Sequence, residues 1–542
     1  MLSYFVVGLT LAVGQVGTGQ TPPVQAPRIA SGAVALPPPG TPEPVTSPVA
    51  NPNGSPAPEP KSGDANGCAC ADAAKKEAAK DEAAKDAAGR CFLGRFLKAN
   101  LDAFKDKDWP PEDEPEKPRR HPPEPWSSPP FPTHDYQGYP VIGVPADSHD
   151  YPLMKALEGT GTGDFLKDHK IEIYGWVTAS GNWSTAQNSN SPASYWLVPN
   201  RFEMDQTVVR VERQLDSVQT DHVDWGFRSS YLYGIDYRYM TAGGWFSDQL
   251  LKNNRLYGFD PTEQYADVYF PGIAQGMILR VGRWIACPDI ETQFSPDNYL
   301  ASHSILFTFD TYTQTGFMLT FKMSKQWILQ AGLNAGNDMA PWYKGAVPCG
   351  YFGARWVSES NNDSVYTVLN QINNAKFSHF TEDDQPSGHD NFNYLVSTWE
   401  HKFTKDGSIH TATEAYFMWQ RDAELGGTPS LGPVQSFGGG GGDGALIPGT
   451  SLTYGVLNYT EFAISKKDYI CVRNEWWKDE KGMRSGFPGV YSSHTIGLSH
   501  NFNSVLQIRP EIGYYRNWTN DSFDLGTKKG ITIYGFDMTY RF

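Results

Sequence analysis

From Lys170 to the C-terminal Phe542, apolar and polar residues alternate with a period of two, the spacing of strands whose two faces meet different surroundings. The last segment, ITIYGFDMTYRF, shows it most clearly. There Tyr534, Phe536, Met538, Tyr540 and Phe542 share one face, while Asp537, Thr539 and Arg541 share the other. In VLQIRPEIGYY, Leu506, Ile508, Ile512 and Tyr514 oppose Gln507, Arg509 and Glu511, and Pro510, which cannot donate to a ladder, predicts a local bulge. Lipid outside and water inside account for both faces.

The pattern predicts strands near 170–181, 201–214, 221–235, 263–270, 275–285, 313–322, 325–337, 350–359, 363–375, 391–403, 408–420, 453–465, 468–479, 490–502, 505–518 and 529–542. Their connections are long after odd strands and short after even ones, with turns as tight as KMSK, SKKD and FNSV. An outer-membrane barrel needs this arrangement, with an even strand number, short turns at one end and long loops at the other. A soluble sandwich or propeller could match the alternation but has no reason to sort its loops by parity. One run, SILFTFD at 304–310, could add a strand and disturb that parity. The expected fold is all-β: an antiparallel up-and-down transmembrane β-barrel of about 16 strands, preceded by a Pro-rich and partly helical N-terminal extension.

Composition agrees. Aromatics make up 13% of the 542 residues, and no apolar run approaches the roughly 18 residues of a spanning helix. A net charge of −15 argues against nucleic acid as a partner, because phosphate binding needs clustered cations. Residues 1–20 read as a signal peptide, with the apolar stretch Leu2 to Val13 followed by small residues, although only the terminal amine supplies positive charge. Residues 21–63 form a Pro-rich linker. Over 64–108 the sequence KKEAAKDEAAKDAAGR is rich in helix formers, and its five-residue period argues against a heptad seam. That helix ends in an apolar stripe of Leu93, Leu97, Leu101 and Phe104, flanked by Phe92 and Phe96, which should dock or self-associate. A second Pro-rich connector, 109–169, leads to the barrel at 170–542. The six cysteines include no CxxC pair; Cys68, Cys70 and Cys91, with no neighbouring His, fit disulfides or free thiols, so neither a metal nor a cofactor is expected.

Several stretches resemble a known family, the OmpL-like β-barrel porins (BBP2). They are YGWV after Ile173, VPNRFEMDQTVVRVER from Val198, VDWGFRSSYLYGIDYRY from Val223, YADVYFPGIAQGMILRVGRW from Tyr265, SPDNYLASHS from Ser295 and YTQTGFMLTFKMSKQW from Tyr312. The resemblance runs from about Tyr151 to the C-terminus and is looser after Phe377. It implies a pore-forming outer-membrane barrel inserted by the barrel assembly machinery, with no catalytic residues. Tyr540 and Phe542 look like the sorting signal of such barrels.

For a pore, the long connection from Ala286 to Thr311 is the candidate constriction, since the fifth strand is where general porins fold a loop inward. It carries Asp289, Glu291, Asp297 and His303, and Arg210, Arg228 and Arg280 are candidates for the facing wall, so that opposed charges would set a transverse field. The alternative is a surface loop with solvated carboxylates. Trp183, Trp196, Trp225, Trp245, Trp284, Trp327, Trp356, Trp419, Trp476 and Trp477 fall near strand ends and fit interfacial girdles, with a sugar-stacking track as the lesser reading. His410, His494 and His500 lie in strand regions without a nucleophile motif such as GxSxG, and the Gly438 to Gly442 run lacks the Lys and helix of a phosphate loop. The expected partners are outer-membrane lipid, small hydrophilic solutes and a second copy in a homo-oligomer. The rival reading is an anchor whose N-terminal extension, in the periplasm, contacts the cell wall.

Overall fold

The computed structural model describes residues 91–105, 109, 118–123, 125, 130–132, 140–147, 149–193, 195–247, 256–286, 290–343, 346–373, 393–425 and 446–542. Residues 1–20, expected to be a signal peptide, the Pro-rich stretch 21–63, most of the Ala-rich stretch and the Gly438 to Gly442 run lie outside these residues.

Sixteen strands form one closed barrel. They are β1 Glu172–Ser184, β2 Phe202–Arg213, β3 Asp224–Gly234, β4 Gly258–Phe270, β5 Met277–Ile285, β6 Thr313–Lys322, β7 Trp327–Asn334 and β8 Cys349–Val357, then β9 Asp363–Ile372, β10 Asn393–Lys402, β11 Ile409–Glu424, β12 Leu446–Ala463, β13 Asp468–Asp479, β14 Gly489–Asn501, β15 Leu506–Asn517 and β16 Gly530–Arg541. Each pairs antiparallel with its neighbours in sequence, and β1 closes on β16 in a register that sets Val177 opposite Tyr540.

The alternation locates every strand, with two early starts. β4 begins at Gly258 and β12 at Leu446, where Asp260, Pro261, Pro448 and Gly449 interrupt the apolar period but the ladder continues. Asp260 faces inward, where Arg283 donates to it at 3.1 Å. SILFTFD is not a strand: Ile305–Thr308 is a single helical turn capped by Ser304, whose Oγ accepts the Phe307 N–H at 3.1 Å. The register to β16 runs unshifted through Pro510, opposite Phe536, so the expected bulge does not form. Connection lengths follow parity locally, but the turn 214–223 is as long as the loop 480–488, so the sorting is less strict than the sequence suggests.

Inward positions are polar or tightly packed, and outward positions are mostly apolar and more exposed, with a few polar residues such as Asn474 and His494 among them. Tyr231, Val281, Phe317, Phe352, Val456, Ile496, Tyr534 and Met538 are 40–56% exposed, a belt of apolar surface far larger than water tolerates on a soluble fold. Trp183, Trp225, Trp327 and Trp476 point outward near strand ends, as a girdle requires. Trp284 and Trp477 instead lie buried inside, and Phe309 stacks on Trp477 at 5.2 Å, so they are wall packing.

Described residues before β1 meet the barrel at the short-turn end. Arg120 donates to Gln275 O at 2.9 Å and to the Tyr269 hydroxyl at 2.6 Å, while Ile142 packs on Tyr269 and Ile278. Further along the mouth, Phe131 meets His410 of β11 edge-on at 4.4 Å and Tyr469 of β13 at 5.2 Å, both inward residues. The helices Pro152–Leu157 and Gly161–Asp168 then lead into β1.

Candidate functional site

The connection 286–312 leaves β5 at the long-loop end and folds into the barrel. Apart from the half-buried Pro296 and Asp297, its described residues are buried. It crosses the lumen and docks on the strands farthest round the ring from its origin. On β13, Glu475 accepts the Ile305 and Leu306 N–H groups at 3.0 and 2.6 Å. On β15, Glu511 accepts the Ala301 and Ser302 N–H groups at 2.8 and 3.2 Å, and Arg509 donates to Asn298 O at 2.5 Å. On β11, Glu414 accepts the Ile290 N–H at 3.0 Å. At the near edge, Gln206 of β2 donates to Gln293 O and accepts the Ser295 N–H. A loop inside a barrel must satisfy its backbone groups without a sheet of its own, and here carboxylates and guanidinia on inward strand positions do so.

Two wall glycines make room. A Cβ on Gly497 of β14 would lie 2.5 Å from Leu300, and one on Gly455 of β12 would lie 3.0 Å from Leu306. Those two leucines therefore sit where a larger wall side chain would stand.

Of the expected site residues, Glu291 and His303 are buried in the core of this loop. Glu291 accepts from Ser304 N at 2.7 Å and from the Tyr459 hydroxyl at 2.7 Å, and faces Arg473 Nη1 at 3.5 Å. Burial pushes its carboxyl above the usual range, against the pull of Arg473 and Ser304. His303 places Nε2 2.7 Å from Thr292 O and stacks on Tyr195 at 3.6 Å. Burial, with Arg473 and Arg509 nearby, holds its imidazole well below the usual range, so the ring is neutral. Asp297 is half-buried at the end of a 3₁₀ turn, Ser295–Asp297. Asp289 lies outside the described residues.

Arg210, Arg228 and Arg280 all face the lumen but pair within their own wall. Arg210 donates to Glu263 at 2.9 Å, Arg228 to Glu212 at 2.7 Å, and Arg280 to Asp267 through two bonds of 2.8 and 2.9 Å. Arg210 also reaches the loop, its guanidinium 4.8 Å from the Phe294 ring. Across the lumen Arg473 meets the loop carboxylate Glu291, and it also donates to Ser302 O at 2.7 Å and Ser302 Oγ at 2.9 Å. Sequence reasoning did not single out Arg473, Glu475 or Glu414. The signal that could have found them is the one that set Arg509 and Glu511 on the water face: each is a charged residue at an inward position of a strand.

The expected sorting-signal residues lie at the seam of the barrel. Phe542 exchanges backbone hydrogen bonds with Gly175 of β1 at 2.9 and 3.1 Å, its ring sits over that glycine, and Tyr540 points outward.

The model of the family described as "Putative beta-barrel porin-2, OmpL-like" matches residues 170–542. The chain belongs to this family. Solved structures similar to this OmpL-like porin-family barrel include an anion-selective porin from Comamonas acidovorans, at 8% identity and TM-score 0.43, covering 69% of this chain and 99% of that one. OprB of Pseudomonas putida, in its high-pH structure, gives 11% identity and TM-score 0.43 over 70% of this chain and 96% of its own. OmpT of Vibrio cholerae, in trimer form, gives 10% and 0.38 over 69% and 99%. No curated protein matches.

The other expected histidines have partners of their own. His410 lies 3.1 Å from Glu461, His494 2.9 Å from Asn474 and His500 2.6 Å from Asp468. The thiols of Cys349 and Cys471 are buried and unbridged. Among the described residues, His149, Glu172 and Glu212 come within metal-ligand reach of one another. Glu212 is already bonded to Arg228 and to the Tyr174 hydroxyl at 2.6 Å, so this donor set fits a hydrogen-bonded cluster that ties the connector to the barrel better than a cation site.

Proposed function

We propose that this porin-family barrel forms a water-filled channel for passive diffusion of small hydrophilic solutes across the outer membrane, narrowed by the loop 286–312. One observation carries the reading: the loop is bonded to β11, β13 and β15, across the lumen from β5. A barrel of this strand number encloses more width than side chains fill, so selectivity requires such an insert. Asp289, Glu291, Asp297 and His303 on the loop, with Arg210, Arg228 and Arg280 on the wall, are the residues proposed to shape the passage. The short turns and the N-terminal extension face the periplasm in this reading, after export through the signal segment and insertion by the assembly machinery. Liposomes carrying the purified chain should swell in iso-osmotic arabinose and more slowly in larger sugars; no swelling in any of them contradicts a diffusion pore.

A second reading is favoured by Phe131, packed on His410 and Tyr469 at the short-turn mouth. There the barrel would be a plugged anchor and the extension its link to the cell wall. The same swelling experiment separates the two.

A further inference from the structure

The helix Phe92–Lys105 lies outside the barrel, beside the seam. Ala99 and Ala103 are buried on the side that meets the helix Pro152–Leu157, and Arg95 donates to Glu158 O at 3.2 Å. Asn100 accepts a hydrogen bond from the hydroxyl of Tyr540, an outward residue near the end of β16. The helix is therefore fixed at the edge of the barrel's lipid belt, at the short-turn end.

Beside Asn100 the helix presents an apolar stripe that is unpartnered among the described residues. Leu93, Leu97 and Leu101 repeat at helical spacing with Phe104 beside them, all 48–60% exposed. Lys98 and Asp102 pair at 2.6 Å on the adjoining polar face, and Lys105 ends the helix on that same side. Four large apolar side chains exposed in one row are unfavourable in water relative to an apolar environment.

We propose that this stripe is a membrane-surface anchor, buried in the phospholipid leaflet at the short-turn end of the barrel. Continuity selects lipid as the occupant. Tyr540, which holds the helix, stands on the same outward face as Met538 and Tyr534, so the stripe begins where the lipid-facing belt ends. The flanking lysines suit the phosphate level of the headgroups, the arrangement of an interfacial amphipathic helix. The proposal rests on the outer-membrane reading of the barrel.

The test uses the full chain in vesicles of phosphatidylethanolamine and phosphatidylglycerol, with a photoreactive benzophenone side chain placed at Leu97, at Lys98 or at the barrel position Met538. Only samples that migrate as compact barrels before heating are irradiated. If none does, the barrel reading itself has failed. The expected result is a phospholipid adduct, read by its mass, at Leu97 and Met538 and little at Lys98. An adduct at Met538 with none at Leu97 overturns the proposal, as does a Leu97 adduct to a second copy of the chain.

Discussion

At the scale of single residues, the loop is held by matched shapes as much as by charge. Gly497 leaves the space that Leu300 occupies, since any Cβ there would fall 2.5 Å from the leucine side chain. Its backbone is ordinary strand, and an added side chain would press hardest on the loop leucine and less on the wall, where Glu511 Cβ and Pro510 O of β15 lie 3.1 and 3.3 Å from the new Cβ. Gly497→Leu should therefore push the loop off β14 without unfolding the barrel, at a cost of about 1–3 kcal/mol for overpacking. Single-channel recording should show a larger or noisier current than wild type, and an unchanged trace would mean that the loop does not lodge there. His303 offers a pH probe. Its folded-state pKa is depressed, so the stability it lends is complete above the ordinary imidazole value of about 6.5 and is lost as pH falls through that value toward the folded one. Glu291, with a raised pKa, runs the opposite way and gains on acidification. His303→Phe keeps the stacking partner for Tyr195 but cannot titrate. Between about pH 7 and 5, wild-type current should become noisier relative to this variant, in which the Glu291 contribution is common. Equal acid responses would remove His303 as the cause.

At the scale of elements, the closing seam and the inserted loop were legible to different degrees. The strands could be read because lipid and water impose opposite demands on alternate residues, and those demands reach the sequence directly. The two early starts at Gly258 and Leu446 were missed because, at the loop end of a strand, backbone pairing persists where neither face needs to be apolar. The inward loop was legible from its length and position after β5. Its docking partners were not, because Glu414, Arg473, Glu475 and Glu511 lie far from it in sequence and only barrel closure brings them opposite. The wall arginines expected to face the loop carboxylates pair with Glu212, Glu263 and Asp267 on adjacent strands. Neighbouring inward positions are the cheapest place to neutralise a buried charge. At the seam, Phe542 pairs with Gly175 at the very end of the ladder, so its loss removes only terminal contacts. Deleting Phe542 or making Phe542→Asp should lower the amount of barrel assembled in cells while leaving refolding in detergent largely intact, as read by heat-modifiable gel mobility. Equal cellular yields would count against a sorting role.

At the scale of the whole molecule, one ring of strands is filled from two sides. The loop 286–312 enters from the long-loop end and reaches Tyr299, whose carbonyl accepts from the Tyr469 hydroxyl at 3.2 Å. The connector enters from the other end, and Phe131 packs on that same Tyr469. Whatever passes must do so beside these inserts, so the molecule should behave as a narrow channel rather than a wide one. The most direct measurement is single-channel conductance in a planar bilayer, on the full chain and on a version with residues 293–304 replaced by a short Gly-Ser link. A constricted porin predicts a steady, small current from the full chain and a clearly larger one once the loop is shortened. A folded full chain that carries no current, or a shortened loop that leaves the conductance unchanged, would contradict it.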